Sequence, residues 1–403
     1  MKKRLSTVLL VLVPFVLAAA PAAQKIDTAD GFRVVHNVKG GLWGQAPKAA
    51  LELVRKIGDV DTEDERVAFN YPSDVAVDKD GNIYILDSGN ARIQKFGPDG
   101  RYLATIGRKG QGPGEFVMPD SLDIDKDGNL VVADSAQARI HVIIGGGKDA
   151  RSILVKDERV YGVRALPSGD LAARASTFSF PMPGQKEKAA GDMRLFRRIA
   201  PDGKIIGSFG LFADFGESQT TAFANAAEFD VDAEGALLAS FNAQNRIEKY
   251  GPDGRLVWRA DRPLGYGMEV RKKGKIERSG GGFMMSSPEM NTCSKGIAVD
   301  GKGRAWVVTL ARQLKKEEEV QTSMMMSTGA AGGGTSASVK TEGNTDLRTT
   351  DAFKLEVFGP DGVLLGELPL SHFVDVIRIS GDSLFLIDRE RGVTVYQYRI
   401  VEK

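Results

Sequence analysis

Short runs of apolar and β-branched residues, separated by polar turns rich in glycine, extend along most of the chain. The stretch from Pro72 to Ile93 has this pattern and aligns without a gap with the stretch from Pro119 to Ile140. Alternation of apolar and polar positions over a few residues predicts β-strands that are buried on one side. The chain contains six such units, because weaker or clear copies cover residues 161–173, 226–247, 294–308 and 374–395.

Two kinds of tight turn recur between these runs. The first has the form Asp-x-Asp/Glu-Gly, and the second has the form Gly-Pro-Asp-Gly or Ala-Pro-Asp-Gly and begins at Gly97, Ala200, Gly251 and Gly359. Proline presets the backbone of the second turn, and its final glycine supplies a positive φ. Four short strands joined by such turns make one antiparallel blade. The predicted fold is therefore all-β: a six-bladed β-propeller of four-stranded antiparallel blades.

The last unit ends at Lys403 after its third strand, so a fourth strand has to come from elsewhere. The segment from Leu51 to Gly58 resembles the fourth strand of unit one, Arg101 to Gly107, and both segments are followed by a polar loop and Phe-x-x-Pro. We expect this N-terminal strand to complete the last blade. Such a clasp closes the ring and removes two exposed strand edges.

The repeat also resembles a known family. The pattern Pro-x-x-Val-Ala-Val-Asp-x-x-Gly-Asn-Ile-Tyr-Ile-x-Asp-x-x-Asn-x-Arg-Ile-x-x-Phe, which starts at Pro72, is similar to the NHL repeat. Units one, two and four match it well, and units three, five and six are degenerate. The resemblance implies a six-bladed propeller of an exported bacterial type. It implies little about function, because NHL-like propellers are interaction platforms in many proteins and enzymes in a few.

The N-terminus has the pattern of a secretory signal peptide, with basic residues up to Arg4, an apolar stretch and then small residues. We predict a signal peptide at residues 1–22, an N-terminal extension at 23–50 and the propeller at 51–403. No cysteine follows the apolar stretch, so we expect an exported protein, periplasmic or secreted, without a lipid anchor. No later segment approaches the roughly 20 apolar residues of a membrane helix, and we expect no membrane insertion.

Composition narrows the possible partners. The formal net charge is +1 and no long basic run is present, so nucleic acid is not expected as a partner. Cys293 is the only cysteine, so the exported chain has no internal disulfide, and its 42% of hydrophobic residues have to supply the stability by packing. We expect a monomer that binds an unknown protein, peptide or glycan.

Long insertions are predicted on one face only. Connections between strands two and three of a blade, and between successive blades, lie on the face opposite to the tight turns. We call this the loop-rich face, and the other the trimmed face; a rigid scaffold with one elaborated face typically presents a binding surface there. The insertions lie at about residues 176–192, 211–225, 261–293 and 313–349.

The insertion at residues 313–349 has an unusual composition. It begins with charged residues and continues through Met324–Met326 into a tract of Gly, Ser, Thr and Ala. Such a composition buries little apolar area, so we predict disorder. Its methionines could contact a partner or a thiophilic metal.

Polar residues recur near the start of the innermost strands, where they approach the predicted axis. Such a group could hold a cation or a polar ligand, although water-filled propeller channels also contain polar residues that bind nothing. The segment from Asp123 to Asn129 resembles the start of a calcium loop, but turn geometry explains the same spacing. The candidate channel residues are Asp74, Asp123, Arg164, Glu228 and Asp230.

A second group of candidates follows the second strand of units one, two and four, on the loop-rich face. These residues could contact a ligand. Alternatively, each Asp caps its own loop, and each Arg pairs with a neighbour or lies over an aromatic ring. They are Asp87, Arg92, Asp134, Arg139, Asn242 and Arg246.

The sequence offers no catalytic motif. It has no Gly-x-Ser-x-Gly elbow, and its three histidines, His36, His141 and His372, are too scattered for a zinc site. We therefore predict a non-catalytic binding or scaffold propeller that uses its loop-rich face and needs no cofactor. The convergence of acidic residues near the axis supports an alternative, a lactonase-like metal-dependent hydrolase or lyase with calcium or another divalent cation held there by Asp74, Asp123, Glu228 and Asp230. A structural subunit of an envelope assembly is a third hypothesis.

Overall fold

Antiparallel strands and tight turns make up nearly all of the computed structural model. It describes residues 24–156, 158–176, 193–279, 282–328 and 335–403. The predicted signal peptide, residues 1–22, lies outside these ranges, as do residues 177–192 of the first predicted insertion. Three strands precede the first blade: β1 (Lys25–Ala29), β2 (Phe32–His36) and β3 (Ala49–Ile57).

The strands that follow form six blades around a common axis, and the first strand of each blade is innermost. Blades 1 to 3, with a short pair after blade 1, consist of β4 (Pro72–Val77), β5 (Ile83–Asp87), β6 (Arg92–Phe96) and β7 (Tyr102–Ile106); the pair β8 (Arg108–Lys109) and β9 (Glu115–Phe116); β10 (Pro119–Ile124), β11 (Leu130–Asp134), β12 (Arg139–Ile144) and β13 (Asp149–Leu154); and β14 (Arg159–Ala165), β15 (Leu171–Ser176), β16 (Arg194–Ile199) and β17 (Ile205–Leu211).

The second half continues in the same way. A helix, α1 (Ser218–Ala224), leads into blade 4, and two hairpins interrupt the blades that follow. The elements are β18 (Ala227–Val231), β19 (Leu237–Phe241), β20 (Ile247–Tyr250) and β21 (Leu256–Asp261) of blade 4; the hairpin β22 (Lys275–Ser279) and β23 (Gly282–Ser286); β24 (Ser294–Val299) and β25 (Ala305–Leu310) of blade 5; the hairpin β26 (Val320–Thr328) and β27 (Thr335–Gly343); β28 (Phe353–Phe358) and β29 (Leu364–Pro369) of blade 5; and β30 (Val376–Ser380), β31 (Ser383–Asp388) and β32 (Thr394–Glu402) of blade 6.

The hydrophobic core lies between the blades. Buried apolar side chains of the described residues form six clusters, and each cluster joins two neighbouring blades. Between blades 3 and 4, for example, the rings of Phe196 and Phe229 pack with centroids 5.5 Å apart. Each blade is thus buried on both faces, which explains why the second strands are almost wholly apolar. The predicted fold class, a six-bladed propeller of four-stranded antiparallel blades, is confirmed.

The ring is closed by strands from the two ends of the chain. β3 pairs antiparallel with β32, from Ala49 opposite Glu402 to Ile57 opposite Val395. Ala49 and Ile57 are buried in this blade. Blade 6 therefore takes its outer strand from the N-terminal side, as the similarity between Leu51–Gly58 and the fourth strand of unit one predicts.

The N-terminal extension also adds to blade 4. β2 lies parallel to β21, with Arg33 opposite Trp258, and β1 pairs antiparallel with β2. Blade 4 is consequently a six-stranded sheet. Asn37 fastens the end of β2, because its amide donates to the Gly362 carbonyl at 3.1 Å and accepts from the Leu364 amide at 2.7 Å.

The trimmed face is built by the turns that the sequence predicts. In the Asp-x-Asp-Gly turn of blade 2, the carboxylate of Asp125 accepts from the amides of Asp127 and Asn129, both at 2.9 Å. This turn therefore uses its carboxylate to hold the backbone, as turn geometry predicts. In the Gly-Pro-Asp-Gly turn of blade 5, Gly362 has a φ of +83°. A Cβ at Gly362 would lie 2.9 Å from the Trp258 ring, so this turn needs glycine for its conformation and for packing.

The long connections lie on the loop-rich face, but one prediction about them is wrong. Residues 313–349 are not disordered throughout, because β26 and β27 pair from Val320 opposite Gly343 to Thr328 opposite Thr335. The low hydrophobicity of this insertion suggested disorder, whereas its β-branched valines and threonines favour extended backbone, and the hairpin satisfies its own hydrogen bonds. Within the described part of the chain, no helix has the length and apolar character needed to span a bilayer.

Candidate functional site

Four of the six inner strands begin with a β-bulge at the same place. The register with the second strand shifts between Pro72 and Asp74 in β4, and at the equivalent positions of β10, β14 and β24. A bulge inserts one extra residue into a strand and redirects its side chain. All four bulged residues line the same cavity on the propeller axis. They are Ser73, Asp120, Tyr161 and Lys295.

This axial cavity lies at the loop-rich end of the channel, where the inner strands begin. A volume of about 100 Å³ inside it is accessible to water-sized groups, which is enough for a small polar part of a ligand and less than a whole small-ligand site. Other strands of the ring contribute further charged residues beside the bulges. We call the whole group the mouth residues: Ser73, Asp120, Tyr161, Arg174, Glu228, Lys295, Asp375 and Arg389.

The charged mouth residues are only loosely paired. Nζ of Lys295 lies 3.4 Å from Oδ1 of Asp375, and Nη2 of Arg174 lies 3.5 Å from Oε1 of Glu228. Charge-assisted hydrogen bonds are usually shorter, at about 2.7–2.9 Å. Nε of Arg174 has no hydrogen-bond partner among the described residues. These groups therefore retain capacity to bind a ligand.

The floor of the cavity is different, because its charges are tightly bound to one another. Asp74 is buried and accepts from Arg378 through Nε at 2.6 Å and Nη2 at 3.0 Å. It also accepts from the Ser121 hydroxyl at 3.0 Å and from the Leu122 amide at 2.9 Å. Nη1 of Arg164 lies 3.5 Å from the same carboxylate. The hydrogen-bonding capacity of Asp74 is thus occupied by its own protein.

Other predicted channel residues join neighbouring blades in the same manner. Asp123 accepts from the Ala165 amide of the next blade at 2.7 Å. Asp230 accepts from the Val299 amide at 2.9 Å and from Nε of Arg164 at 3.2 Å. These carboxylates therefore hold successive inner strands together. Of the five predicted channel residues, Glu228 is the one with a loosely held carboxylate in the mouth.

This arrangement bears on the predicted axial cation. Asp74, Asp123 and Asp230 direct their oxygens to backbone amides and arginines, so they do not form a ligand set with Glu228. In the part of the chain that the structure describes, no three His, Cys, Asp or Glu side chains are grouped so that they could hold a metal ion. The residues present do not fit a divalent cation at this position.

The predicted residues after the second strands hold loops in place. Asp87 is buried and accepts from the Asn70 amide at 2.7 Å and from Nε of Arg92 at 2.8 Å. Nη2 of Arg92 also donates to the Glu65 carbonyl at 2.8 Å. Asp134 in blade 2 occupies the equivalent position and accepts from the Val117 amide at 2.7 Å.

The remaining three residues of this group have separate surroundings. Arg139 donates through Nη1 to the Gln111 carbonyl at 3.2 Å. The guanidinium of Arg246 lies 3.6 Å from the centroid of the Phe241 ring. The backbone carbonyl of Asn242 accepts from the Cys293 amide at 2.7 Å, and the side-chain Oδ1 of Asn242 has no hydrogen-bond partner among the described residues. The structure does not bring these three side chains together with the mouth residues.

Sequence reasoning missed most of the mouth. The alignment of repeats does not reveal a bulge, so the bulged residues Asp120, Tyr161 and Lys295 were not among the candidate channel residues. Arg174 and Arg389 come from second strands or their ends. One signal was available: the positions immediately before Asp74, Ser121, Gly162 and Gly296 all carry side chains that can form hydrogen bonds.

Asp120 makes the stability of the protein depend on pH. Burial raises its pKa to about 7, although it accepts from the Ser135 amide at 3.0 Å. The folded chain therefore keeps this proton up to about pH 7, whereas an unfolded aspartate loses it near 3.8. Stability falls as pH rises across that interval. Burial raises the pKa of Asp230 and of Asp388 to about 6, with the same sign.

We expect Asp120→Asn to melt at a higher temperature than the natural protein at pH 8 and at nearly the same temperature at pH 5, because the amide cannot ionise. Thermal melts at both pH values measure this difference. Asp127→Asn is the control, since that side chain is 67% exposed on a turn of the same blade. Equal effects of the two substitutions at pH 8 would contradict the assignment.

Comparison with known proteins supports the fold. Residues 60–142 match the DUF5128 family, described as a 6-bladed beta-propeller. None of the curated proteins matches the chain. Similar solved structures include a DUF4221 family member from Bacteroides vulgatus, with 11% identity, a TM-score of 0.53 and coverage of 88% of this chain and 99% of that one.

Two propeller enzymes are also similar in structure. Virginiamycin B lyase from Staphylococcus aureus has 13% identity and a TM-score of 0.45, with 88% of this chain and 100% of that chain covered. A gluconolactonase from Xanthomonas campestris has 13% identity and a TM-score of 0.47, with the same coverage. At such identities the likeness concerns the fold alone. Membership of the NHL-repeat family stays a prediction.

Proposed function

We propose that this chain is an extracytoplasmic, non-catalytic binding protein whose ligand enters the axial cavity from the loop-rich face. The observation that carries this proposal is the set of four equivalent bulges, which direct Ser73, Asp120, Tyr161 and Lys295 into one cavity. Bulges interrupt strand pairing, and they are common beside functional sites because they redirect side chains.

The contrast between floor and mouth supports the same function. The floor carboxylates are satisfied by arginines and backbone amides, so they stabilise the ring. The mouth offers cations and carboxylates at loose distances, with Lys295 and Glu228 as examples on two blades. A ligand with polar groups can replace these weak pairs with shorter hydrogen bonds. A peptide, a glycan or an exposed segment of a protein has groups of this kind.

The proposal predicts that ligand affinity depends on the charged mouth residues and not on charged residues on other surfaces of the protein. In the purified double variant Lys295→Gln with Glu228→Gln, both new side chains are similar in size to the natural ones, and the net charge of the protein is unchanged. We expect any amino acid, short peptide or small saccharide that raises the melting temperature of the natural protein to bind this variant at least tenfold more weakly. Isothermal titration measures the affinities.

The matched control lies on the trimmed face. Lys126→Gln with Asp127→Asn also removes one cation and one anion, from a turn where the two side chains are 57% and 67% exposed. This variant is expected to bind as the natural protein does. The proposal fails if no compound binds, or if the mouth variant and the control variant bind every compound equally well.

A further inference from the structure

A second cavity opens beside the mouth, between blades 3 and 4. Its walls are largely apolar, and a volume of about 300 Å³ inside it is accessible to water-sized groups. Leu195 of β16, Phe212, and Ala222 and Phe223 of α1 form most of this side pocket. Phe223 is 49% exposed, so the pocket presents an apolar surface to solvent.

The walls of the side pocket are held in place. Glu217 caps α1, because its carboxylate accepts from the Gln219 amide at 2.9 Å and from the Thr220 amide at 2.7 Å. Asn225, at the other end of the helix, donates to the Ala213 carbonyl at 2.8 Å and accepts from the Ala213 amide at 2.9 Å. The helix is therefore fixed to the loop before it, which favours a preformed pocket.

The side pocket and the axial cavity share two residues, Tyr161 and Arg174. The guanidinium of Arg174 lies 5.7 Å from the centroid of the Tyr161 ring, and its loose partner Glu228 lines the axial cavity. An apolar group in the side pocket is thus next to a cation and, beyond it, a carboxylate. A ligand that spans both cavities therefore contacts first the apolar side pocket, then the Arg174 guanidinium and then the Glu228 carboxylate.

The mouth carries charges of both signs. Its carboxylates are Glu228, Asp375 and, above about pH 7, Asp120, and its basic side chains are Arg174, Lys295 and Arg389. A ligand with a single charge would leave one partner of a mouth pair uncompensated in a partly buried site, which is costly. A zwitterion can satisfy groups of both signs.

We propose that the site takes an α-amino acid or a dipeptide with an apolar side chain. The carboxylate of the ligand binds Arg174, its ammonium group binds Glu228, and its side chain lies in the side pocket against Phe212 and Phe223. This inference rests on the proposed function and specifies its ligand. A free amino acid and a dipeptide share the required chemistry, and the experiment distinguishes them.

Isothermal titration of the purified protein with L-leucine and with leucyl-leucine tests the ligand class. Three analogues each lack one feature: glycine lacks the apolar side chain, N-acetyl-L-leucine lacks the ammonium group and L-leucinamide lacks the carboxylate. We expect L-leucine or the dipeptide to bind at least tenfold more tightly than every analogue. Whichever of L-leucine and leucyl-leucine binds with the higher affinity shows whether the site takes a free amino acid or a dipeptide. The proposal is overturned if neither binds, or if glycine binds as tightly.

Variants test the assignment of each group. Ala222→Trp fills the side pocket and should weaken leucine binding at least tenfold, while weak binding of glycine is unchanged. Arg174→Met keeps the length of the side chain but removes its charge, and should abolish the preference for L-leucine over L-leucinamide. Leu154→Trp is the control, because Leu154 is 64% exposed on the outer strand of blade 2. Thermal melts without ligand establish that each variant is folded.

The result also separates this inference from the proposed function. If a saccharide binds, loses affinity in the Lys295→Gln, Glu228→Gln variant and is unaffected by Ala222→Trp, the amino-acid ligand is wrong and the binding function stands. If leucine binds with equal affinity to the natural protein, Ala222→Trp and the mouth variant, both proposals fail.

Discussion

Replacing Asp74 by alanine is expected to lower the free energy of unfolding by roughly 3–5 kcal/mol, the usual cost of removing one partner from a buried ion pair. Asp74 lies at the centre of the floor network, where it accepts from Arg378, the Ser121 hydroxyl and the Leu122 amide. Without this carboxylate, Arg378 remains near the axis with its charge uncompensated, whereas Arg164 keeps its ion pair with Asp230. Urea denaturation at neutral pH, followed by tryptophan fluorescence, measures the change.

The control for this prediction is Asp123→Ala. Asp123 also accepts an amide of the next blade, from Ala165 at 2.7 Å, but no arginine lies within ion-pair distance of its carboxylate among the described residues. Its loss leaves one buried amide unsatisfied, which costs about 1–3 kcal/mol. Equal losses of stability in the two variants would show that Asp74 acts as an inter-blade hydrogen bond only, without a special role for its arginines.

The sequence predicts the propeller because each blade repeats the same local information. A turn such as Gly359–Gly362 fixes the position of two strands by itself, and the apolar second strands mark the core between blades. Six copies make the interpretation robust even where one copy is degenerate. The clasp follows from the same repetition, since Leu51–Gly58 can be recognised as a fourth strand without a blade of its own.

The features that the sequence does not predict depend on contacts between distant residues. Arg378 meets Asp74 across 304 positions of the chain, and β2 meets β21 as an added parallel strand. No local pattern signals either contact. The bulges are missed for another reason: an inserted residue such as Lys295 leaves the apolar alternation on both sides intact. The candidate site was therefore placed too deep, one residue beyond Ser73 at Asp74 and three residues beyond Asp120 at Asp123, where the structure has its floor.

Removal of β3 is expected to abolish the cooperative thermal melt of the protein. β3 supplies the outer strand of blade 6, and its pairing with β32 extends from Ala49 to Ile57. A chain that starts at Val60 leaves β32 with an open edge and removes Ile57 from the cluster between blades 6 and 1. Since every blade is held by its two neighbours, an open ring loses the packing that stabilises both adjacent blades. Circular dichroism during heating measures the melt.

A chain that starts at Asn37 is the control, because it lacks β1 and β2 but keeps β3. We expect it to melt cooperatively at a reduced temperature, since it loses Val35 from the cluster between blades 4 and 5 and leaves the ring closed. A synthetic peptide of residues 45–58, added to the chain that starts at Val60, should restore the melt, and a scrambled peptide should not. If the two shortened chains melt alike, strand pairing between β3 and β32 is not what closes the ring, and the contacts between blades suffice.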